Sequence, residues 1–431
     1  MKQSWKETLK SVPVVRSLGR SMKNGLLDLN AAVGYLVQRR KNGISGPIRV
    51  GFLCQYIPAW SKLKPVYAQM LQDPRFQPVL ICVPSNIENR QLVGDTQNND
   101  TYDYFLREGY CDVRNAWEQG EWLDLSALKL DYIFYPRPYN DFLPPCYDSA
   151  LVSRYCRICL VMYGMSMTEQ IIDTVMERSF FRYVYLYFAE SPYVMERNQK
   201  MGALLHRLGL QKSIYKGLPG MEEIAAKENE RSPAWDFSQN NFRVIWTPRW
   251  TTDPALGGTN FFLYYQALLD YAREHAEMDF LFRPHPLTLE NFRKTGEMTE
   301  EQIQHFLNQI QKLPNVSLDT QKEYFSTMWG ASVLVTDISG IMPEYFATGK
   351  PMIYCASNMP LTPSPHTKIM LEGCYTVYGR EELFACLEHL AAGQDPLAEK
   401  RQKIAEELYG GLNSTPSLGI LEELAKDREG S

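Results

Sequence analysis

The chain has 431 residues, of which 45% are hydrophobic, 22% charged and 12% aromatic. That mix excludes a disordered or fibrous protein, and the length exceeds what one ordinary core holds, so two large domains are expected. A formal net charge of −5 offers no electrostatic case for nucleic acid as a partner, and no apolar stretch approaches the roughly 18–20 residues that span a bilayer.

In chain order, residues 1–47 form a basic arm. Residues 1–48 hold nine Lys and Arg against Glu7 and Asp28. Trp5, Leu9, Val14, Val15, Leu18, Met22, Leu26 and Leu27 recur at roughly helical spacing. Leu29, Ala32, Val33, Leu36 and Val37 repeat the pattern before Arg39-Arg40-Lys41. A basic amphipathic helix suits an anionic membrane surface; it equally suits packing on its own domain with a solvated basic face. Residues 1–30 hold no continuous apolar run of the kind that opens a secreted chain. Nine unclustered cysteines, several in apolar runs (Cys54, Cys82, Cys159, Cys355), fit free buried thiols in a reducing cytoplasm. Cys156 and Cys159 have CxxC spacing but sit in an expected strand without a second pair, so no metal site is expected.

Strands are expected at 48–54, 77–83, 132–135, 158–161 and 212–216, separated by helices, including one over 193–208. Residues 220–240, polar and charged, read as a linker. A second alternation follows, with strands at 242–246, 279–283, 315–318, 332–336 and 351–355. Its helices lie at 260–275, 300–312, 321–328 and 341–348, and helices at 380–391, 396–409 and 416–428 close the chain. The fold class is therefore α/β, with two Rossmann-like parallel-sheet domains facing a cleft and an N-terminal basic helical arm. Expected boundaries are 1–47 for the arm, 48–225 for the first domain and 236–392 for the second. The helices of 393–431 could pack back on the first domain.

Ligands in open parallel sheets bind beyond the carboxyl ends of the strands. Three loops of the second domain fall there: Thr247-Pro248-Arg249-Trp250, Arg283-Pro284-His285-Pro286, and the turn holding Asp337, Ser339, Gly340 and Glu344. The last reads as strand, tight turn and helix start, which leaves backbone N–H groups open to phosphate, with Glu344 in reach of ribose hydroxyls. Together the loops offer two guanidiniums, an imidazole and hydroxyls, a set suited to a diphosphate. His285 is stiffened by flanking prolines. The alternatives are an ordinary βα junction, a structural histidine, and surface ion pairs at Arg249 and Arg283.

The ordered set Thr-Pro-Arg-Trp, Arg-Pro-His-Pro and Thr-Asp-x-Ser-Gly-x-Met-x-Glu-Tyr with Gly-Lys-Pro resembles the CDP-glycerol glycerophosphotransferases, the teichoic-acid primases and polymerases of GT-B architecture. The likeness runs over roughly 48–390 in layout and is most specific in 244–355; Gly51-Phe52-Leu53 and Trp60-Ser61-Lys62-Leu63-Lys64-Pro65 carry it more weakly. The resemblance implies a CDP-linked polyol donor on the second domain, with His285, Ser339 and Gly340 along the diphosphate and Glu344 nearer the ribose. It implies an acceptor (a polyol phosphate or lipid-linked glycan) entering from the first domain, a place on the inner face of the cell membrane, and no metal or other cofactor.

The family often carries His-Gly-Thr-Pro-Leu-Lys after the fourth strand. This chain has Met162-Tyr163-Gly164-Met165-Ser166-Met167-Thr168-Glu169. Tyr163 takes the histidine's place, and a phenol with a pKa of about 10 is a poor base at neutral pH. Glu169 or His285 could take the proton instead, or the acceptor could be a phosphate needing no base. Two other readings stay open: a GT-B glycosyltransferase using a nucleotide sugar, and a non-catalytic binding subunit of a surface-polymer complex.

Overall fold

The computed structural model describes residues 25–36, 46–176, 179–238, 242–321, 323–356, 361–411 and 413–430. Their contacts divide the chain into two compact units. The first holds the described residues up to Tyr163, then Thr174–Lys216 and the chain from Ser417; the second holds Gly164–Asp173 and Gly217–Pro416.

The first unit is built on seven strands: β1 (Ile48–Cys54), β2 (Phe76–Cys82), β3 (Val113–Asn115), β4 (Tyr132–Tyr135), β5 (Arg157–Val161), β6 (Val184–Phe188) and β7 (Lys212–Ile214). All pair in parallel, in the order β7-β6-β5-β4-β1-β2-β3. The central strands are buried on both faces, which explains their near-continuous apolar runs. Gly51 in β1 is required by packing: a Cβ there would meet Leu130 Cδ1 at 2.6 Å. Next to it, Phe52 stacks on Phe134 with ring centroids 5.0 Å apart.

The last helix, Pro416–Glu429, is tied to this unit by a buried charge. Asp427 accepts hydrogen bonds from Arg157 (2.9 Å), Tyr132 (2.7 Å) and Tyr185 (2.7 Å) and also pairs with Lys212. Arg157 and Asp427 are each 3% exposed at the side chain. The lysine and the two phenols hold the Asp427 carboxyl below its ordinary range despite burial.

Of the basic arm, residues 1–24 and 37–45 lie outside the described residues. Residues 25–36 form a helix on the first unit. Ala31 and Tyr35 are buried, Arg182 pairs with Asp28 at 3.1 Å, and Asn30 donates to the Tyr183 hydroxyl at 3.0 Å. Leu26, Leu29, Val33 and Leu36 are exposed. The apolar stripe seen in the sequence thus faces away from the unit, and the anchoring side is the narrower one through Tyr35.

The second unit has six parallel strands: β8 (Phe242–Thr247), β9 (Met278–Phe282), β10 (Val316–Leu318), β11 (Val333–Thr336), β12 (Met352–Cys355) and β13 (Tyr375–Val377). Their order is β10-β9-β8-β11-β12-β13. Of the expected linker at 220–240, the described residues 220–238 are instead packed structure. Helix Gly220–Ala226 buries Met221 and Ile224, and Trp235 is 3% exposed and donates to the Thr327 carbonyl at 2.9 Å. Isolated apolar residues in a charged segment, here Met221, Ile224 and Trp235, were enough to seat it. The start of helix Glu169–Met176 also belongs to this unit: Thr168 bridges Pro363, and the Glu169 N–H donates to the Thr362 carbonyl at 2.9 Å.

Candidate functional site

In the second sheet the strand order reverses between β8 and β11. One side runs on to β9 and β10, the other to β12 and β13. Such a switch point opens a crevice at the carboxyl ends of the strands. The segment after β8 carries Thr247, Pro248 and Arg249, and that after β11 carries Asp337, Ser339 and Gly340. β9, beside β8, delivers Arg283 and His285. The sheet therefore brings the three expected loops to one edge.

Asp337 organises that edge. Its Oδ2 accepts from the Arg249 N–H (2.8 Å), the Asn260 N–H (3.1 Å) and the Thr259 hydroxyl (3.1 Å), and its Oδ1 from the Asn260 side chain (2.9 Å). Asn260 also donates to the Cys355 carbonyl at 2.8 Å. The carboxylate is 5% exposed; burial pushes its pKa up while these donors oppose the shift. This is a brace joining four segments, which gives Asp337 a positioning role. Thr247 is likewise turned inward: its hydroxyl donates to Thr336 Oγ1 at 2.8 Å, and Thr336 Oγ1 lies 3.1 Å from Ser339 Oγ. Pro248 is buried.

Arg283 and Glu344 are also engaged. Arg283 forms an ion pair with Asp319, donates to the Gln321 carbonyl at 2.8 Å, and lies 4.7 Å from the Tyr324 ring centroid. The Tyr324 hydroxyl donates to Glu344 at 2.6 Å, and Glu344 is 7% exposed. One tyrosine thus links the two residues. Both side chains are anchored in the protein, Arg283 through Asp319 and Gln321 and Glu344 through Tyr324.

Arg249 donates through Nη1 to the Ile338 carbonyl, and its Nε is buried with no hydrogen-bond partner. No carboxylate forms an ion pair with its guanidinium among the described residues, and burial lowers its pKa, with Asp337 opposing. His285 is exposed. Its Nδ1 lies 3.2 Å from the Leu287 N–H, which makes Nδ1 the acceptor and places the proton of the neutral ring on Nε2. Its pKa is lowered, first by desolvation and then by the charge of Arg249. The Trp250 ring lies 6.0 Å away, tilted. Gly340 is exposed at the start of helix Ile341–Phe346, and a Cβ there would meet nothing within 4 Å. Arg249, His285 and Gly340 each keep hydrogen-bonding capacity.

The two other expected catalytic residues belong to different units: Tyr163 to the first, Glu169 to the second. The Tyr163 hydroxyl lies 3.2 Å from that of Tyr139, and burial pushes its pKa further up. A phenol so held is neutral, further still from the basicity that the sequence already makes poor. Glu169 is half-buried at the first position of its helix. Thr259, Asn260, Asp319 and Tyr324 went unread in the sequence. The run Gly257-Gly258-Thr259-Asn260 before a helix was the available signal for the first two. Among the described residues no group of three or more His, Cys, Asp or Glu could hold a metal ion, and no helix is long and apolar enough to cross a membrane.

No protein-family model and no curated protein matches the chain. Solved structures do. A putative UDP-N-acetylglucosamine 2-epimerase from Listeria monocytogenes has a TM-score of 0.59 at 12% identity, over 90% of this chain and 98% of that one. The UDP-GlcNAc 2-epimerase from Neisseria meningitidis bound to UDP-GlcNAc has 0.58 at 15%, over 88% and 100%. The wall teichoic acid polymerase TagF soaked with CDPG has 0.54 at 11%, over 96% and 98%. These likenesses establish a GT-B-like fold.

Proposed function

We propose that the chain is a transferase acting on a nucleotide-diphosphate-linked donor, held at the β8/β11 switch of the second unit, and that the donor is a CDP-linked polyol. The observation that carries this reading is the pairing of Arg249 with His285. The half-buried Arg249 guanidinium, which forms no ion pair among the described residues, lies near enough to the exposed His285 imidazole to lower its pKa. Two such groups at one sheet edge form an incomplete electrostatic arrangement that an anion completes.

In this reading the neutral imidazole donates from Nε2 to a diphosphate oxygen, Arg249 offsets charge on the leaving nucleotide, and Ser339 and Gly340 border the phosphates. An acceptor oxygen forms a bond to the distal phosphorus as the bond to the bridging oxygen breaks, and CMP departs with the electron pair. Because His285 already carries its proton on Nε2, it serves as donor and not as base. Glu169 is then the candidate for the acceptor's proton, unless the attacking group is a phosphate that has none to lose. The acceptor, a polyol phosphate or lipid-linked glycan of a cell-surface polymer, is assigned to the first unit. We place the protein at the inner membrane face, with the basic segments flanking residues 25–36 and the exposed Leu26, Leu29, Val33 and Leu36 as the contact.

Calorimetry with CDP-glycerol, CDP-ribitol and UDP-GlcNAc, with CMP release followed in parallel, tests the assignment. Binding of a CDP donor that is lost in Arg249→Gln is the expected result. Absence of binding and of CMP release across donors and acceptors ends the transferase reading. The two epimerase neighbours, whose names carry UDP-GlcNAc, favour one second reading, a nucleotide-sugar enzyme on the same fold; tighter binding of UDP-GlcNAc than of either CDP donor selects it.

A further inference from the structure

The first sheet has its own switch point, between β1 and β4, where the order turns from β1-β2-β3 to β4-β5-β6-β7. Arg137 stands just beyond the carboxyl end of β4. Its guanidinium lies 4.6 Å from the Tyr56 ring centroid and 4.2 Å from that of Phe142, so aromatic rings occupy its surroundings. One edge is held by Gln55, which accepts from Nη2. Gln55 is itself fixed by donating to the Ser85 carbonyl at 3.0 Å. Nε is buried without a partner, and Nη1 makes no hydrogen bond among the described residues. No carboxylate pairs with Arg137 among the described residues; the ionisable groups acting on it are the phenols of Tyr56, Tyr163 and Tyr139.

A half-buried guanidinium usually has a carboxylate or several carbonyls around it, because desolvating the charge is costly. Here cation–π contact stands in for the counter-ion on the faces, and the edge is left short of acceptors. Arginine's planar fork suits a phosphate at that edge. The surrounding phenols supply ring surface and hydroxyls of the kind that hold a polyol. The location, at the carboxyl ends of β1 and β4, is where an open parallel sheet receives ligands.

We propose that Arg137, with Gln55, Tyr56, Tyr139, Phe142 and Tyr163 around it, forms a phosphate-ester subsite of the first unit, specific for a small polyol phosphate. Its role as the acceptor's seat rests on the transferase reading above; the binding itself does not.

The test uses the full chain without any nucleotide donor. Calorimetric titrations are run with glycerol phosphate, inorganic phosphate, neutral glycerol and CMP, on wild type, Arg137→Met and Arg137→Lys. Glycerol phosphate is expected to bind wild type, with neutral glycerol silent. Arg137→Met should weaken it at least tenfold, and Arg137→Lys, which keeps the charge but not the fork, by an intermediate factor. The signal should persist with CDP at saturation, which separates this subsite from the second unit's edge. Equal binding to wild type and Arg137→Met, or none to wild type, overturns the proposal, and so does a CMP response that exceeds that of glycerol phosphate and vanishes in Arg137→Met. Circular dichroism accompanies each variant; if Arg137→Met fails to fold, the Arg137→Lys comparison decides, with unchanged affinity counting against the site. Failure of CDP-glycerol binding alone removes the donor assignment and leaves this subsite standing.

Discussion

Replacing Asp337 is the sharpest perturbation of the second unit. In Asp337→Ala four donors lose their acceptor. The Thr259 hydroxyl can rotate, and Asn260 Nδ2 keeps the Cys355 carbonyl. The N–H groups of Arg249 and Asn260 cannot turn elsewhere. Stranding a buried donor costs about 1–3 kcal/mol, so two give about 4 kcal/mol, with little return from the small cavity. For a domain of this size each kcal/mol lowers Tm by roughly 2–4 °C, which places the drop at about 8–16 °C. Asp337→Asn keeps one oxygen where three donors converge and turns an amide NH2 toward Asn260 Nδ2; about half the loss is expected. The assay is differential scanning calorimetry with tryptophan fluorescence in parallel, since Trp246 is buried in this unit. Donor binding should fall in both variants, because Arg249 loses the anchor on its own backbone. A Tm for Asp337→Ala within about 2 °C of wild type refutes the bracing role.

His285→Ala removes an exposed ring, so Tm should hold while donor affinity or turnover falls about tenfold to a hundredfold, the worth of one charge-assisted bond; an unchanged rate counts against its place at the diphosphate. His366 is buried, its Nε2 3.3 Å from the Tyr409 hydroxyl, and desolvation takes its pKa down to about 4. Because the folded value lies below the unfolded one of about 6.5, its contribution is intact above pH 6.5 and is lost as pH falls, because the unfolded chain binds the proton first. Urea melts should show the second unit losing about 1–2 kcal/mol between pH 6.5 and 5, and His366→Gln should flatten that slope. Asp427→Ala leaves Arg157 buried and unpaired and should cost the first unit about 3–5 kcal/mol. Combining it with Arg157→Met should recover part of the loss, and simple additivity of the two would contradict the pairing.

The alternation of strand and helix was legible because both sheets are parallel and doubly covered, so their strands are uninterrupted apolar runs such as Val50–Cys54 and Val333–Val335. Two strands of the first sheet escaped. Val113–Asn115 is a three-residue edge with polar members, and Val184–Phe188 lies inside a longer aromatic run with no break to delimit it. Helix Pro365–Leu371 and strand Tyr375–Val377 were missed as short elements late in the chain. At the candidate site, residue types and loop positions could be read, but their hydrogen-bond commitments could not. Asp337 is satisfied by groups 77 to 88 residues away, and Arg283 by Asp319. A carboxylate that braces and one that faces a ligand look identical in one dimension.

The attachment of the last helix to the first unit has a consequence for how the molecule is made. Asp427 is the partner of Arg157, Tyr132 and Tyr185, yet it leaves the ribosome after every residue of the second unit. Until then the Arg157 guanidinium has no counter-charge, so the unit that is begun first during synthesis is completed last. Released chains that end at residue 416 should therefore carry a protease-resistant second unit beside a first unit that is still easily digested.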